Sequence, residues 1–302
     1  MAVEAGTEIA AVRDESRSRP RALWAAVALI ALAIVVYAPI LYYMVIHWKV
    51  VDDYSHGFLI VPLALYFAWE RRPQLRRAVI EPNWWGVLPL FLGTVTLTIG
   101  RLGVELMNMR VSFVLTLIGL VLLLFGKQVS RILAFPLLFL FLMVPLPQSL
   151  VNVVAFPLQL IAADAATGVL YLLGIPALRE GNIIHLATTQ LFVEQACSGL
   201  RSLMALVTLG VIFAYFFRKT LAERLIIVAS AIPIAILVNA FRVALTGVLT
   251  HHFGQEAASG WIHQTEGMFT FAIAMVILLT EAWILQKIWP RRWRARRSKG
   301  TS

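Results

Sequence analysis

One cysteine, Cys197, stands in a chain of 302 residues. Without a second thiol there is no intramolecular disulfide framework and no multi-cysteine metal site. Charge is also scarce. Asp, Glu, Lys and Arg make up 14% of the chain, against about a quarter in an ordinary soluble domain. A disordered chain and an ordinary soluble enzyme are both excluded. Acidic residues are the scarcer sign, 16 against 26 basic, which leaves a formal net charge of +10. Such a surplus raises nucleic acid as a partner, so the placement of the charges matters. What fills the chain instead is apolar, 60% of its residues.

A bilayer core takes about 20 mostly apolar helical residues, or somewhat fewer where flanking groups reach the interface. Eight runs answer to that, at about 22–46, 55–69, 83–100, 111–126, 132–147, 199–217, 225–249 and 267–288. They predict an all-α polytopic membrane protein. The first run carries no charge and no A-x-A cleavage site follows it, so it reads as a retained span. The stretch 148–174 is apolar too, but it holds Gln148, Gln159, Asp164 and Pro157, with Pro147 just before. It is expected as a helix on or partly inside the outer interface. There is no internal repeat and no second soluble domain. The expected division is a cytoplasmic tail at 1–21, one integral membrane domain at 22–289 and a basic cytoplasmic tail at 290–302.

Cytoplasmic loops collect Lys and Arg. Arg13, Arg17, Arg19 and Arg21 precede the first span, and Arg71, Arg72, Arg76 and Arg77 follow the second. Lys127 and Arg131 come next, then Arg218, Lys219 and Arg224. Lys287, Arg291, Arg292, Arg294, Arg296, Arg297 and Lys299 close the chain. With eight spans and 148–174 not crossing, these 20 of the 26 basic residues share one side. Both termini are then cytoplasmic. The basic surplus is explained by membrane flanks, so no nucleic-acid partner is expected.

The outer side acquires all six histidines (His47, His56, His185, His251, His252, His263) and Cys197. Between 179 and 196 helix signals lapse. Gly181-Asn182 opens the stretch, and Ile183, Ile184 and Leu186 are separated from Leu191, Phe192 and Val193 by a polar turn. This reads as a short β-hairpin just before Cys197.

Cys197 falls at the expected N-terminus of the sixth span. There the helix dipole and unpaired N–H groups favour a thiolate. Arg201 is one turn further on and adds positive charge. A lone cysteine in a membrane helix ordinarily packs as a small hydrophobe. Here its neighbours are Glu194, Gln195, Ser198 and Arg201. In the seventh span, Asn239, Arg242 and Thr246 form a polar stripe at helical spacing. Arginines near helix ends commonly snorkel, but the stripe favours an arginine facing a wet cavity. His263 precedes the eighth span at the same level. A loop histidine is most often simply solvated, and His251, His252 and His56 compete with it on position. No HExxH-type spacing occurs, so neither a metal nor another cofactor is expected.

Four stretches resemble the exosortase/archaeosortase family over about 50–285. They are Ala196-Cys197-Ser198-Gly199-Leu200-Arg201-Ser202, Asn239-Ala240-Phe241-Arg242-Val243, His263 followed by Gly267, and Asp53-Tyr54-Ser55-His56-Gly57. The resemblance implies a bacterial inner-membrane thiol peptidase or transpeptidase. Its partners would be membrane lipid and exported proteins ending in a sorting tail, made of a short Pro-Glu-Pro-like motif, an apolar helix and a basic cluster. It implies Cys197 as nucleophile, with Arg242 and His263 as its catalytic partners. Arg201, Asn239, Glu194 and His56 are expected to support the site or bind substrate. Two other classes compete. A transporter or export component for a polysaccharide or lipid-linked substrate would use Arg242, Glu281 and Asp164 along a pathway. A membrane acyltransferase would use His263. The polar residues gather on one side rather than at several depths, which favours the thiol enzyme.

Overall fold

The computed structural model describes residues 2–187, 189–193, 199–217, 220–254 and 261–288. Side chains are described from Ala26 onward within those ranges, except at 199–200, 217, 261–264, 286 and 288. The chain divides into two compact units, Met1–Pro147 and Gln148–Ser302.

The first unit contains α1 (Ala2–Val50), α2 (Gly57–Glu70), α3 (Arg72–Arg77), α4 (Val87–Leu102) and α5 (Leu106–Phe139). Glycines recur every seven residues along one side of α4, which lets the α5 backbone approach closely. A Cβ at Gly93 would lie 3.2 Å from the Ser112 carbonyl oxygen, and one at Gly100 would lie 2.9 Å from the Met109 nitrogen. The Glu105 carboxylate caps α5 by accepting from the Met107 and Asn108 amides.

Inside α5, Gly126 has φ 84° and ψ −175°, which no helix contains and which favours glycine. The chain turns back there. Before the turn, Tyr37 of α1 meets Thr116 and Ser112. At the turn, the Asn83 amide donates to the Leu123 carbonyl, the Val79 amide to the Gln128 side chain, and the Arg71 guanidinium to the Ile132 carbonyl. Beyond it, Phe135 and Phe139 pack on Phe67 of α2 at 5.1 and 5.3 Å between centroids. Trp48 then donates to the Met143 carbonyl and Tyr54 to that of Leu146. Arg110, near the start of α5, also interacts with Tyr54. The start of α5 and residues 143–146 therefore lie at one end of the unit. Each leg carries one of the expected spans, 111–126 and 132–147.

The second unit contains α6 (Gln148–Leu172), strands β1 (Ala177–Glu180), β2 (Ile183–Leu186) and β3 (Gln190–Phe192), then α7 (Gly199–Phe217), α8 (Leu221–Phe253) and α9 (Trp261–Ile288). The expected hairpin is β2–β3, paired antiparallel with Ile184 opposite Leu191. The sequence reading missed β1, which pairs with β2 across Gly181-Asn182. Gly181 has φ 63°, as a two-residue hairpin turn with glycine at its first central position requires. The sheet buries Ile184, Leu186 and Leu191 against Ala162, Ala163, Ala166 and Leu170 of α6 and Val243 and Ala244 of α8. Its polar edge engages the residues that made α6 an unconvincing span. Arg179 pairs with Asp164 at 3.4 Å, and Asn182 donates to Gln159 at 3.1 Å.

Among the described residues, six helices are long and apolar enough to cross a membrane, where the sequence predicts eight spans. The all-α polytopic fold stands, and three features account for the corrected count. α2, with 14 residues, and the apolar stretch Arg201–Phe216 of α7 are short. Residues 106–143, apolar along most of their length, contain two expected spans joined by the turn at Gly126. Gln148–Leu172, expected at the interface, has the length and apolarity to cross. Apolar length is a property of the strand of sequence; a reversal inside a run or a polar partner beside it is not.

Candidate active site

The core of the second unit antiparallels α7, α8 and α9. Leu203 and Leu206 of α7, Ile227, Ala231, Ala235 and Val238 of α8, and Ala274, Leu278 and Ala282 of α9 form one buried cluster. Gly210 sits over Val228 and Ala231, where a Cβ would make ordinary contacts of 3.7 Å. Moving from Gly210 back to Gly199, and equally far forward on α8, arrives beside Ala240. The head of α7 is thus level with Asn239 and Arg242.

Asn239, Arg242, Thr246 and Thr250 lie along α8 and are all buried, Arg242 at 8% exposure and Thr246 at 0%. The stripe read from sequence therefore faces inward rather than toward lipid. Its charge meets α9 at Gly267. A Cβ placed there would stand 3.2 Å from Arg242 Nη2 and 3.4 Å from Cζ, so the guanidinium occupies the space that a side chain would fill. Beside that notch, the carboxylate of Glu266 is 5% exposed and accepts a hydrogen bond of 2.6 Å from the Thr246 hydroxyl. The same hydroxyl is 3.0 Å from the Arg242 carbonyl. Thr270 donates back to the Glu266 and Gly267 carbonyls, at 2.9 and 3.1 Å. Two opposite charges are thus buried at neighbouring positions. Burying either one alone would cost several kcal/mol, of order.

His263 occupies the helical position one turn before Gly267 on α9; its side chain lies outside the described residues. Cys197, Glu194, Gln195 and Ser198 also lie outside them, one to five residues before Gly199. Arg201 is exposed on the first turn of α7, unlike buried Arg242. His251 and His252 are exposed on the last turn of α8, beyond the stripe, with their rings 5.1 Å apart. His56 precedes α2 in the first unit, 6.3 Å from the Tyr54 ring between centroids. Among the described residues, no group of three His, Cys, Asp or Glu side chains is arranged to hold a metal.

A family model described as transmembrane exosortase matches residues 48–280, across both units and through every element of this site. The chain belongs to the transmembrane exosortase family. No curated relative and no solved structure matches it. Within this candidate site, sequence reasoning singled out Arg242 and Asn239 but passed over Glu266 and the role of Gly267. A carboxylate at the head of an apolar helix, followed at once by glycine, was the available signal. It has meaning only when the opposite helix supplies an arginine.

Proposed function

We propose that this exosortase is a membrane-embedded cysteine protease or transpeptidase that cleaves C-terminal sorting tails of exported proteins through a thioacyl-enzyme. The observation that carries the reading is the Arg242 guanidinium, buried in the Gly267 notch, one turn from position 263 and level with the α7 head that follows Cys197. A buried arginine at that level is a ready-made electrophilic partner for a thiol and an imidazole.

In this mechanism His263 takes the Cys197 proton and the sulfur attacks the scissile carbonyl carbon. Arg242 donates to the oxygen that becomes negative; such donors contribute about 2.7–4 kcal/mol. The carbon–nitrogen bond breaks as His263 returns the proton to the leaving amine. The thioester that remains is resolved by water, giving a protease, or by an amine, giving a transpeptidase. The test is a reporter protein ending in a Pro-Glu-Pro motif, an apolar helix and a basic cluster, produced with and without the full-length enzyme. The expected result is a shortened reporter only when the enzyme is present. An intact reporter in both cells returns the chain to the transporter reading.

We further infer that both termini and the 218–224 loop are cytoplasmic, with the site on the outer side of the inner membrane. The asymmetry of the basic residues supports this orientation. A phosphatase reporter, active only after export, is expected to stay inactive when fused within 218–224. An active fusion there inverts the second unit and removes the mechanism.

A further inference from the structure

Arginine side chains carry several rotatable bonds, and a guanidinium acts as an oxyanion donor only in one orientation. Something must choose that orientation here. Two residues of α9 and one of α8 bear on that of Arg242. Gly267 leaves the space, Glu266 brings the opposite charge next to it, and Thr246 ties that carboxylate to α8 one turn from Arg242. Glu266 is buried as deeply as the arginine. The Thr246 hydroxyl, at 2.6 Å, fixes where that carboxylate stands.

We propose that Glu266 is a positioning residue for Arg242. Its carboxylate, fixed by Thr246, holds the guanidinium in the Gly267 notch in the orientation that meets the substrate's acyl oxygen. The proposal rests on the reading of Arg242 as the group that acts on the substrate. Thr246 works through Glu266, and Gly267 works by leaving out a methyl group.

The experiment uses full-length enzyme in detergent micelles and the purified tail reporter described above. The processing rate at saturation and the half-saturating concentration are measured for wild type, Glu266→Gln, Thr246→Val, Gly267→Ala, the Thr246→Val/Glu266→Gln double variant and Cys197→Ala. Glu266→Gln and Gly267→Ala are each expected to lower the saturated rate about tenfold or more, because small misplacements of a catalytic group are costly. Half-saturation should change less than about twofold, and thermal unfolding of Thr246→Val and Gly267→Ala, which keep both charges, should match wild type; Glu266→Gln, which leaves the buried arginine without its opposite charge, should unfold at a lower temperature. The double variant should be no slower than Glu266→Gln alone, since both changes act through one carboxylate. Wild-type rates in Glu266→Gln and Gly267→Ala, or additive losses in the double variant, overturn the positioning role. So does a rate loss in Thr246→Val and Gly267→Ala that tracks a lowered unfolding temperature. If Glu266→Gln does not accumulate, Thr246→Val and Gly267→Ala, which keep both charges, decide by the same criteria. Full cleavage by Cys197→Ala would instead remove the thiol reading while leaving the Glu266 comparison standing. A wild-type enzyme that leaves the tail intact overturns both.

Discussion

Cys197→Ala and Cys197→Ser are each expected to abolish processing of the tail reporter while the protein reaches wild-type levels in the membrane. Alanine removes the nucleophile outright. Serine keeps a hydroxyl, but an alcohol is far harder to deprotonate than a thiol and needs a base matched to it. The loss should reach at least about a thousandfold, as when the nucleophile of an acyl-transfer enzyme is removed. A transporter would accept either change. Because the chain has a single cysteine, a thiol reagent has one target, and its rate of labelling against pH reads the thiol directly. The midpoint should fall below about 8.5, the value of an unperturbed cysteine, given a helix N-terminus and nearby cationic groups. Processing that survives both substitutions ends the thiol mechanism. A midpoint above that value removes the activation by the helix head.

Arg242→Lys is expected to reduce processing nearly to zero, whereas Arg201→Lys keeps a substantial part of it. The contrast follows from where the two side chains sit. Arg242 is buried with its guanidinium packed into a notch of α9, so its planar fork of donors is held in shape. A lysine keeps the charge but presents one compact ammonium group, which fills neither the notch nor the fork. Arg201 is exposed on the first turn of α7 and contributes positive charge near the helix head. A lysine supplies most of that. The measure is the ratio of unprocessed to processed reporter in cells lacking the wild-type enzyme, with enzyme level followed by immunoblot. Full activity in Arg242→Lys would show that a point charge suffices. Loss of protein in both variants would make the two arginines structural.

Sequence alone determined the membrane class, the hairpin ahead of Cys197 and the stripe Asn239–Arg242–Thr246. Each depends on a pattern within one segment: a long apolar run, two short β-rich runs around a polar turn, a spacing of three and four residues. The two spans either side of Gly126 were legible for the same reason, since Lys127 and Arg131 interrupt the apolar run. Tertiary structure decided what faces the stripe. Arg242 and Gly267 come from different helices, and their meeting depends on the antiparallel register of α8 and α9, which no local period encodes. Glu266 looked like an isolated carboxylate because its partner Thr246 lies 20 residues away. β1 went unread because Ala177–Glu180 is exposed along most of its length, so it shows no alternation of apolar and polar residues. It becomes a strand only because β2 lies beside it.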